Sequence, residues 1–418
     1  MSTPRNASLT PIGADQRVFS GMSHASLWFS LGVGLLVMQV GAYLVPGVGT
    51  QDAIWAILIG SALGSALLAW TAKIGCDTGL SSAGLMHQTF GSSFARLPVI
   101  LNIVQLIGWT SFELVIMRDG TGALGQKIWG ITLSPILTTV LWGGLLTLLM
   151  TASMLTLVRQ FVSRIGLPLV IASLLWLSWQ FWHKLDAQGI AAFMQRQGDG
   201  SMGMLSAVDL VMAMPVSWLP LVADYARYGK SGRSTFGGTW LGYVVANIWC
   251  YGLGVLVVSV SEPGTDMVTA LLLAQGGLIA LGLILLDELD NAYGDVHSAG
   301  VSTQSLLGGR LKPWAIGLAA LSTLLAMVLP MHSLEPFLLM LSSVFVPLYG
   351  VILGRMACGA CASGTTLSAA KTIDISAAAT WVLGIACFHS IATWAPQWGS
   401  ALPTLAVTFA LAWLTRKR

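Results

Sequence analysis

Four side chains, Asn102, Gln105, Trp109 and Glu113, recur at steps of three and four through an otherwise apolar stretch. At 100° per residue they share an arc of about 80° on one helix face. An indole beside amide and carboxyl groups offers stacking to a planar heterocycle and hydrogen bonds to its edge. A second run, LILLDELDNAYGDVHSAGVS, crowds Asp287, Glu288, Asp290 and Asp295 into another apolar segment. Here Asp287, Asn291, Asp295, Ser298 and Ser302 fall within a second arc of about 80°. Carboxylates this close cannot all stay charged in a low dielectric, so the pattern calls for protonation, a bound cation or a water-filled cavity. Proton or sodium coupling follows. Where the run reaches a cytoplasmic helix end, Asp295 and His297 are instead solvated.

Other polar residues read as structural. Asp224 and Arg227, spaced i,i+3, suit an ion pair at the cytoplasmic surface. His24, His87, His183, His332 and His389 lack metal-ligand spacing, and no Ser-His-Asp set, HExxH or Walker loop is present, so neither an enzyme nor a metal site is expected. The five cysteines imply no disulfide framework, and the Cys358/Cys361 CxxC, with no second pair, reads as a reduced loop.

The elements that carry these residues must be membrane helices. Of 418 residues 55% are hydrophobic and only 9% charged, against roughly a quarter charged in a soluble domain. A net charge of +3 is too weak a field for nucleic acid to be the partner. Hydropathy with Gly, Pro and charge punctuation predicts twelve spans: 24–46, 52–74, 94–124, 133–154, 161–183, 205–228, 236–260, 266–301, 313–331, 334–354, 372–393 and 400–415. The polar segment 1–23 is expected to be cytoplasmic and not a signal peptide. With both termini inside, every one of the 20 basic residues except Arg118, Lys127, Lys184 and Arg196 lies on the cytoplasmic side. Two spans look broken: the first around Gln39, Gly41 and Pro46, the sixth between Pro215 and Pro220. Broken helices at matching places in two halves point to an inverted-repeat transporter with its ligand between them.

The broken first span, LIGSALGSALLAWTAKIGCDTGLSS after it, QLIGW, LVADYARYGK and DNAYGDVHSAGVS together resemble the nucleobase:cation symporter-1 (purine-cytosine permease) family. MQVGAYLVP and SWLPLVADY look closest to its hydroxymethylpyrimidine branch. The resemblance implies an all-α polytopic fold of the leucine-transporter type. Two inverted five-helix repeats, 24–183 and 205–354, would form the core, and 355–418 would add two helices and a short cytoplasmic tail. It also implies that Trp109 stacks on the base, that Glu113 stands where several relatives carry glutamine, and that Gln39 occupies the unwound part of the first span near substrate and cation. The sixth-span aromatic wall aligns with Pro215, leaving Trp218 to substitute from another turn. The relatives' cation-binding hydroxyls align with Asp287 and Glu288, or with Asp290 and Asn291, depending on the anchor.

The sequence is thus read as an inner-membrane secondary transporter that imports a nucleobase-like heterocycle, of cytosine or hydroxymethylpyrimidine type, by alternating access. The substrate set is Gln39, Gln105, Trp109, Glu113, Trp218 and Asn291, and the cation set is Gln39, Asp287, Glu288 and Asp290. No cofactor is expected beyond a coupling proton or sodium ion, and the lipid bilayer is the surrounding partner. The alternatives are a purine or hydantoin/allantoin permease, or, in a different class, a channel or membrane scaffold.

Overall fold

The structure is a computed structural model that describes residues 7–151, 165–262, 264–328, 334–356 and 372–416, without the side chains of 187 and 188. The Cys358/Cys361 pair, His332 and the basic residues Arg5, Arg159, Arg164, Lys371, Lys417 and Arg418 lie outside the described residues.

The described chain is helical from end to end and contains no strand beyond an isolated bridge between Phe19 and Gly229. Its helices are α1 (Gly21–Ser30), α2 (Leu35–Tyr43), α3 (Thr50–Thr78), α4 (Ser82–Phe90), α5 (Arg96–Trp129), α6 (Pro135–Leu149), α7 (Leu167–Gln188) and α8 (Ile190–Met194). There follow α9 (Met204–Ser217), α10 (Leu219–Ala226), α11 (Gly232–Val260), α12 (Met267–Leu272), α13 (Gly277–Leu307), α14 (Leu311–Val328), α15 (Leu334–Met356), α16 (Ile375–Trp394) and α17 (Ala401–Leu414). Each of the twelve expected segments has a helical counterpart. Among the described residues, 7 helices are long and apolar enough to cross a membrane unaided, counting α9 with α10, and the bent pair α1–α2 makes an eighth. Their outer faces expose Leu63, Val104, Leu241, Leu324 and Val382, which suits a hydrocarbon surround.

Two of the expected element bounds need correction. The first span breaks at Leu31–Gly34, ahead of Gln39, and its halves meet at 65°. Gly41 is not an unwinding point: a Cβ there would run into the Tyr251 backbone, just as one on Gly254 would strike Met38 O. These glycines let α2 and α11 pack backbone to backbone, the small-residue contact by which membrane helices associate. The sixth span is interrupted where expected, between Pro215 and Pro220, at Trp218. The stretch 266–301 divides into α12 and α13, so the acidic run sits well inside a 31-residue helix.

Around this frame, α13 packs most extensively on α5, α11 on α3, α1 and α2, and α15 on α17. Asp209 of α9 accepts from the N–H groups of Ser400 and Ala401, capping α17 from a neighbouring helix. Asp224 is fully buried and accepts from Ser82 N at 2.9 Å at the start of α4, so it serves a helix start in place of the expected surface ion pair with Arg227. The N-terminal segment is sewn down by its backbone: Ser81 Oγ donates to Ser8 O (2.6 Å), Ile12 N to Gly79 O (3.1 Å), Phe19 N to Tyr228 O (2.8 Å) and Lys230 N to Phe19 O (2.9 Å).

Candidate functional site

The break between α1 and α2 leaves backbone groups that no helix satisfies, and in a membrane such groups need partners from the protein. Helix α13 supplies them. Leu35 N, at the start of α2, donates to Glu288 Oε1 at 2.6 Å, a carboxylate placed where the helix dipole favours negative charge. Asn291 Nδ2 donates to Val33 O (3.3 Å) and to Glu288 Oε2 (3.4 Å), and Ser30 Oγ donates to Asp287 Oδ1 (2.9 Å). A Cβ on Gly34 would lie 2.7 Å from Glu288 Oε1, so the close approach of carboxylate and backbone depends on glycine there.

The sixth-span break is closed from the other side. Leu221 N turns to Trp218 O, releasing the Ser217 carbonyl from its regular i+4 partner. Gln105 Nε2 lies 3.4 Å from Ser217 O and donates to Asn102 Oδ1 (3.0 Å), while Asn102 Nδ2 donates to Pro220 O (3.0 Å) and Ser302 Oγ (3.1 Å). Two members of the polar stripe on α5 are therefore clamps that fix the kink at Trp218 against α5 and α13.

Between the two breaks lies a cavity lined by Gly34, Trp109, Glu113, Trp218, Asn291 and Asp295, with Leu31, Leu36, Val37, Met214, Ser217 and Glu288. It offers about 20 Å³ to the centre of a water molecule, little more than one water needs. The Trp109 ring meets Phe337 of α15 edge-on at 5.2 Å, and Trp218 meets Trp28 at 6.0 Å. Five polar atoms on its lining residues are buried and unpartnered: Trp109 Nε1, Glu113 Oε2, Trp218 Nε1, Asn291 Oδ1 and Asp295 Oδ2. Buried polar groups are rarely left unsatisfied, and such a set is what a small polar ligand would complete.

Of the residues expected from sequence, the structure brings Trp109, Glu113, Trp218, Asn291 and Glu288 to one cavity. It does not bring Gln105 or Gln39 there. Gln105 stands behind the cavity in the clamp, and Gln39 lies within α2, donating to Tyr43 Oη at 2.7 Å, instead of in an unwound segment. Asp287 and Asp290 point the other way, to a second cavity of about 70 Å³ with Ser30, Leu169, Val170 and Leu283. The single arc drawn through Asp287, Asn291 and Asp295 is thus split between two faces. Asp295, for which a solvated helix end was one reading, is 2% exposed and lines the first cavity. The spacing of Glu288, Asn291 and Asp295, within about 60° at 100° per residue, carried that signal.

Comparison with known proteins identifies the family and the fold. Residues 11–414 match the family described as permease for cytosine/purines, uracil, thiamine, allantoin. The cytosine permease of Escherichia coli (strain K12) is 26% identical over 326 residues, 76% of this chain and 73% of that protein. The purine-cytosine permease fcyB of Emericella nidulans is 25% identical over 254 residues, 60% of this chain; that match spans only 48% of the fungal protein. Among solved structures, Mhp1, a nucleobase-cation-symport-1 family transporter in a closed conformation with bromovinylhydantoin bound, superposes with a TM-score of 0.78 at 16% identity, covering 98% of this chain and 93% of that one. A Na+-coupled sialic acid symporter superposes with a TM-score of 0.64 at 11% identity, covering 95% and 88%. The chain has the leucine-transporter-like fold and belongs to the permease family for cytosine/purines, uracil, thiamine and allantoin, a family of membrane transporters and not of enzymes.

Proposed function

We propose that this protein imports a nucleobase-like heterocycle of cytosine or hydroxymethylpyrimidine type by cation symport with alternating access. The observation that carries the reading is the cavity in which two indoles, Trp109 and Trp218, flank buried, unpartnered polar atoms of Glu113, Asn291 and Asp295. The ring stacks on Trp109, with Trp218 forming the other wall and Glu113 and Asn291 holding its edge. Gln105 acts at one remove, through the kink it fixes. The cavity is far smaller than a pyrimidine, so admission requires Phe337 or the half-helices of the first span to move, and that movement is the access change.

The coupling ion, a proton or sodium, is assigned to Asp287, Glu288 and Asp290 beside the first-span break, where Ser30 and the Leu35 N–H already engage two of them. The core is read as two inverted five-helix repeats, 24–183 and 205–354. Both termini are assigned to the cytoplasm by the distribution of basic residues, and reporter fusions within 188–200 should report the outside.

The test is uptake of labelled cytosine into proteoliposomes, competed with a pyrimidine and purine panel. Trp109→Ala and Glu113→Ala should abolish uptake, because an unpaired buried ligand edge costs about 1 to 3 kcal/mol, tenfold or more in affinity. Sodium coupling predicts uptake that titrates with external sodium; proton coupling predicts uptake without sodium that collapses with a protonophore. Wild-type uptake by both variants would move the site elsewhere, and non-saturating flux that never concentrates the substrate would favour a channel.

A further inference from the structure

Resting on the nucleobase reading above, the structure assigns Glu113 and Asp295 a joint role: a carboxyl pair that takes its heterocycle as a cation, through an amidinium edge made of a ring N–H beside an exocyclic amine.

Of the five unpartnered polar atoms on the lining residues, three are acceptors (Glu113 Oε2, Asn291 Oδ1, Asp295 Oδ2) and two are indole donors (Trp109 Nε1 and Trp218 Nε1), each fixed in the plane of its own ring. The third carboxyl of the lining, Glu288, is already engaged by Leu35 N and Asn291 Nδ2. A protonated aminopyrimidine offers three N–H donors along its amidinium edge, one for each of these three acceptors. Uracil and hydantoin offer two N–H donors against two carbonyls, which would leave an acceptor of the site unpaired and turn a carbonyl oxygen toward a carboxylate.

Charge points the same way. Glu113 and Asp295 are 3% and 2% exposed, and no lysine, arginine or histidine lines the cavity among the described residues. Two buried carboxyl groups facing one small space cannot both be ionised without a compensating charge, which a cationic ring supplies. The surrounding ionisable groups are Glu288, Asp290 and Tyr293 on α13 itself and Tyr225 on α10, with Asp224, Arg227 and His297 beyond them toward the far end of α10. Arg227 is the cation of this set, and it does not line the cavity. When the ring binds as a neutral molecule, its nitrogen lone pair takes the proton of the carboxylic acid: one O–H bond breaks, one N–H bond forms, and an amidinium–carboxylate pair remains.

The test is equilibrium binding of labelled cytosine to the purified full chain, competed with adenine, 4-aminopyrimidine, uracil and hydantoin, and with benzamidine against its neutral isostere benzamide. In the wild type the amino rings should outcompete uracil and hydantoin at least about tenfold, and benzamidine should displace cytosine where benzamide does not. The double variant Glu113→Gln with Asp295→Asn should lose the benzamidine preference and gain uracil relative to cytosine, since each amide adds a donor. Should that variant fold poorly, the benzamidine and benzamide comparison on the wild type decides alone. Uracil or hydantoin binding as tightly as cytosine, benzamide equal to benzamidine, or an unchanged order in a folded double variant would overturn the pair while leaving a nucleobase transporter standing. A wild type that binds none of the panel would overturn both.

Discussion

Replacing Glu288 tests whether α13 holds the hinge of the first span. Its carboxylate accepts from Leu35 N at 2.6 Å, and the groups on both sides are buried, with Glu288 1% and Leu35 2% exposed. Glu288→Ala strands that N–H in the protein interior, which costs about 1 to 3 kcal/mol. It also removes a negative charge from the start of α2, worth about 0.3 to 1 kcal/mol and up to about 2 in buried geometries. The Asn291 amide, which donates to both Val33 O and Glu288 Oε2, loses one acceptor as well. Together these amount to about 2 to 4 kcal/mol, or roughly thirty- to a thousandfold in the population of the held hinge. Glu288→Gln keeps an acceptor oxygen and loses only the charge, so it should fall between wild type and alanine. The assay is the thermal unfolding midpoint of detergent-purified protein, followed by size-exclusion fluorescence, with concentrative uptake measured on the same preparations. A Glu288→Ala midpoint equal to wild type would refute the hinge role. A Gln variant as unstable as Ala would show that charge, and not the hydrogen bond, is what matters.

Asn102→Ala should lower the unfolding midpoint by freeing Pro220 O and Ser302 Oγ, about 1 to 3 kcal/mol, and weaken every substrate together without reordering the competition panel; a reordered panel would place Asn102 in contact with ligand. Asp209→Ala should destabilise by about 1 to 2 kcal/mol through the lost cap of α17, with the affinity of the remaining folded protein for cytosine unchanged in a binding assay. Gly254→Leu should prevent accumulation of folded protein, because any side chain there meets Met38 O, whereas Gly252→Ala, with open space around it, should accumulate normally; equal yields of both would contradict the packing of α2 on α11.

Much of the membrane plan was legible because apolar runs and their punctuation are read in one dimension. Trp109 and Glu113 were legible too, since steps of three and four fix a shared face whatever packs against it. What sequence could not supply was the identity of the neighbour. Both Asp287 and Glu288 belong to respectable stripes on α13, and only the position of α5 and α1 decides that Glu288, Asn291 and Asp295 face the cavity while Asp287 and Asp290 face away. The first break was misplaced for a related reason. Gln39, Gly41 and Pro46 carry the residue types of an unwound helix, but Gly41 is used for close packing and the chain unwinds earlier, at SLGVG, where partners from α13 are within reach. Gln105 looked like a ligand-binding amide because nothing local reveals that a carbonyl freed in the sixth span lies within its reach. The aspartate of the expected Asp224–Arg227 pair went instead to Ser82, far away in sequence.

The ribbon formed by residues 8–19 is joined to the rest of the protein largely by main-chain groups, with Ile12 bonded to Gly79 and Phe19 to both Tyr228 and Lys230. A seam of that kind reads spacing more than side-chain identity. Most of the letters between Ile12 and Phe19 are then free to drift, but a single inserted or deleted residue would throw one anchor out of step with the other, and a proline at either anchor would remove a donor outright. The stretch that looks least constrained in composition is therefore constrained in length, and homologous chains should vary here by substitution while keeping count.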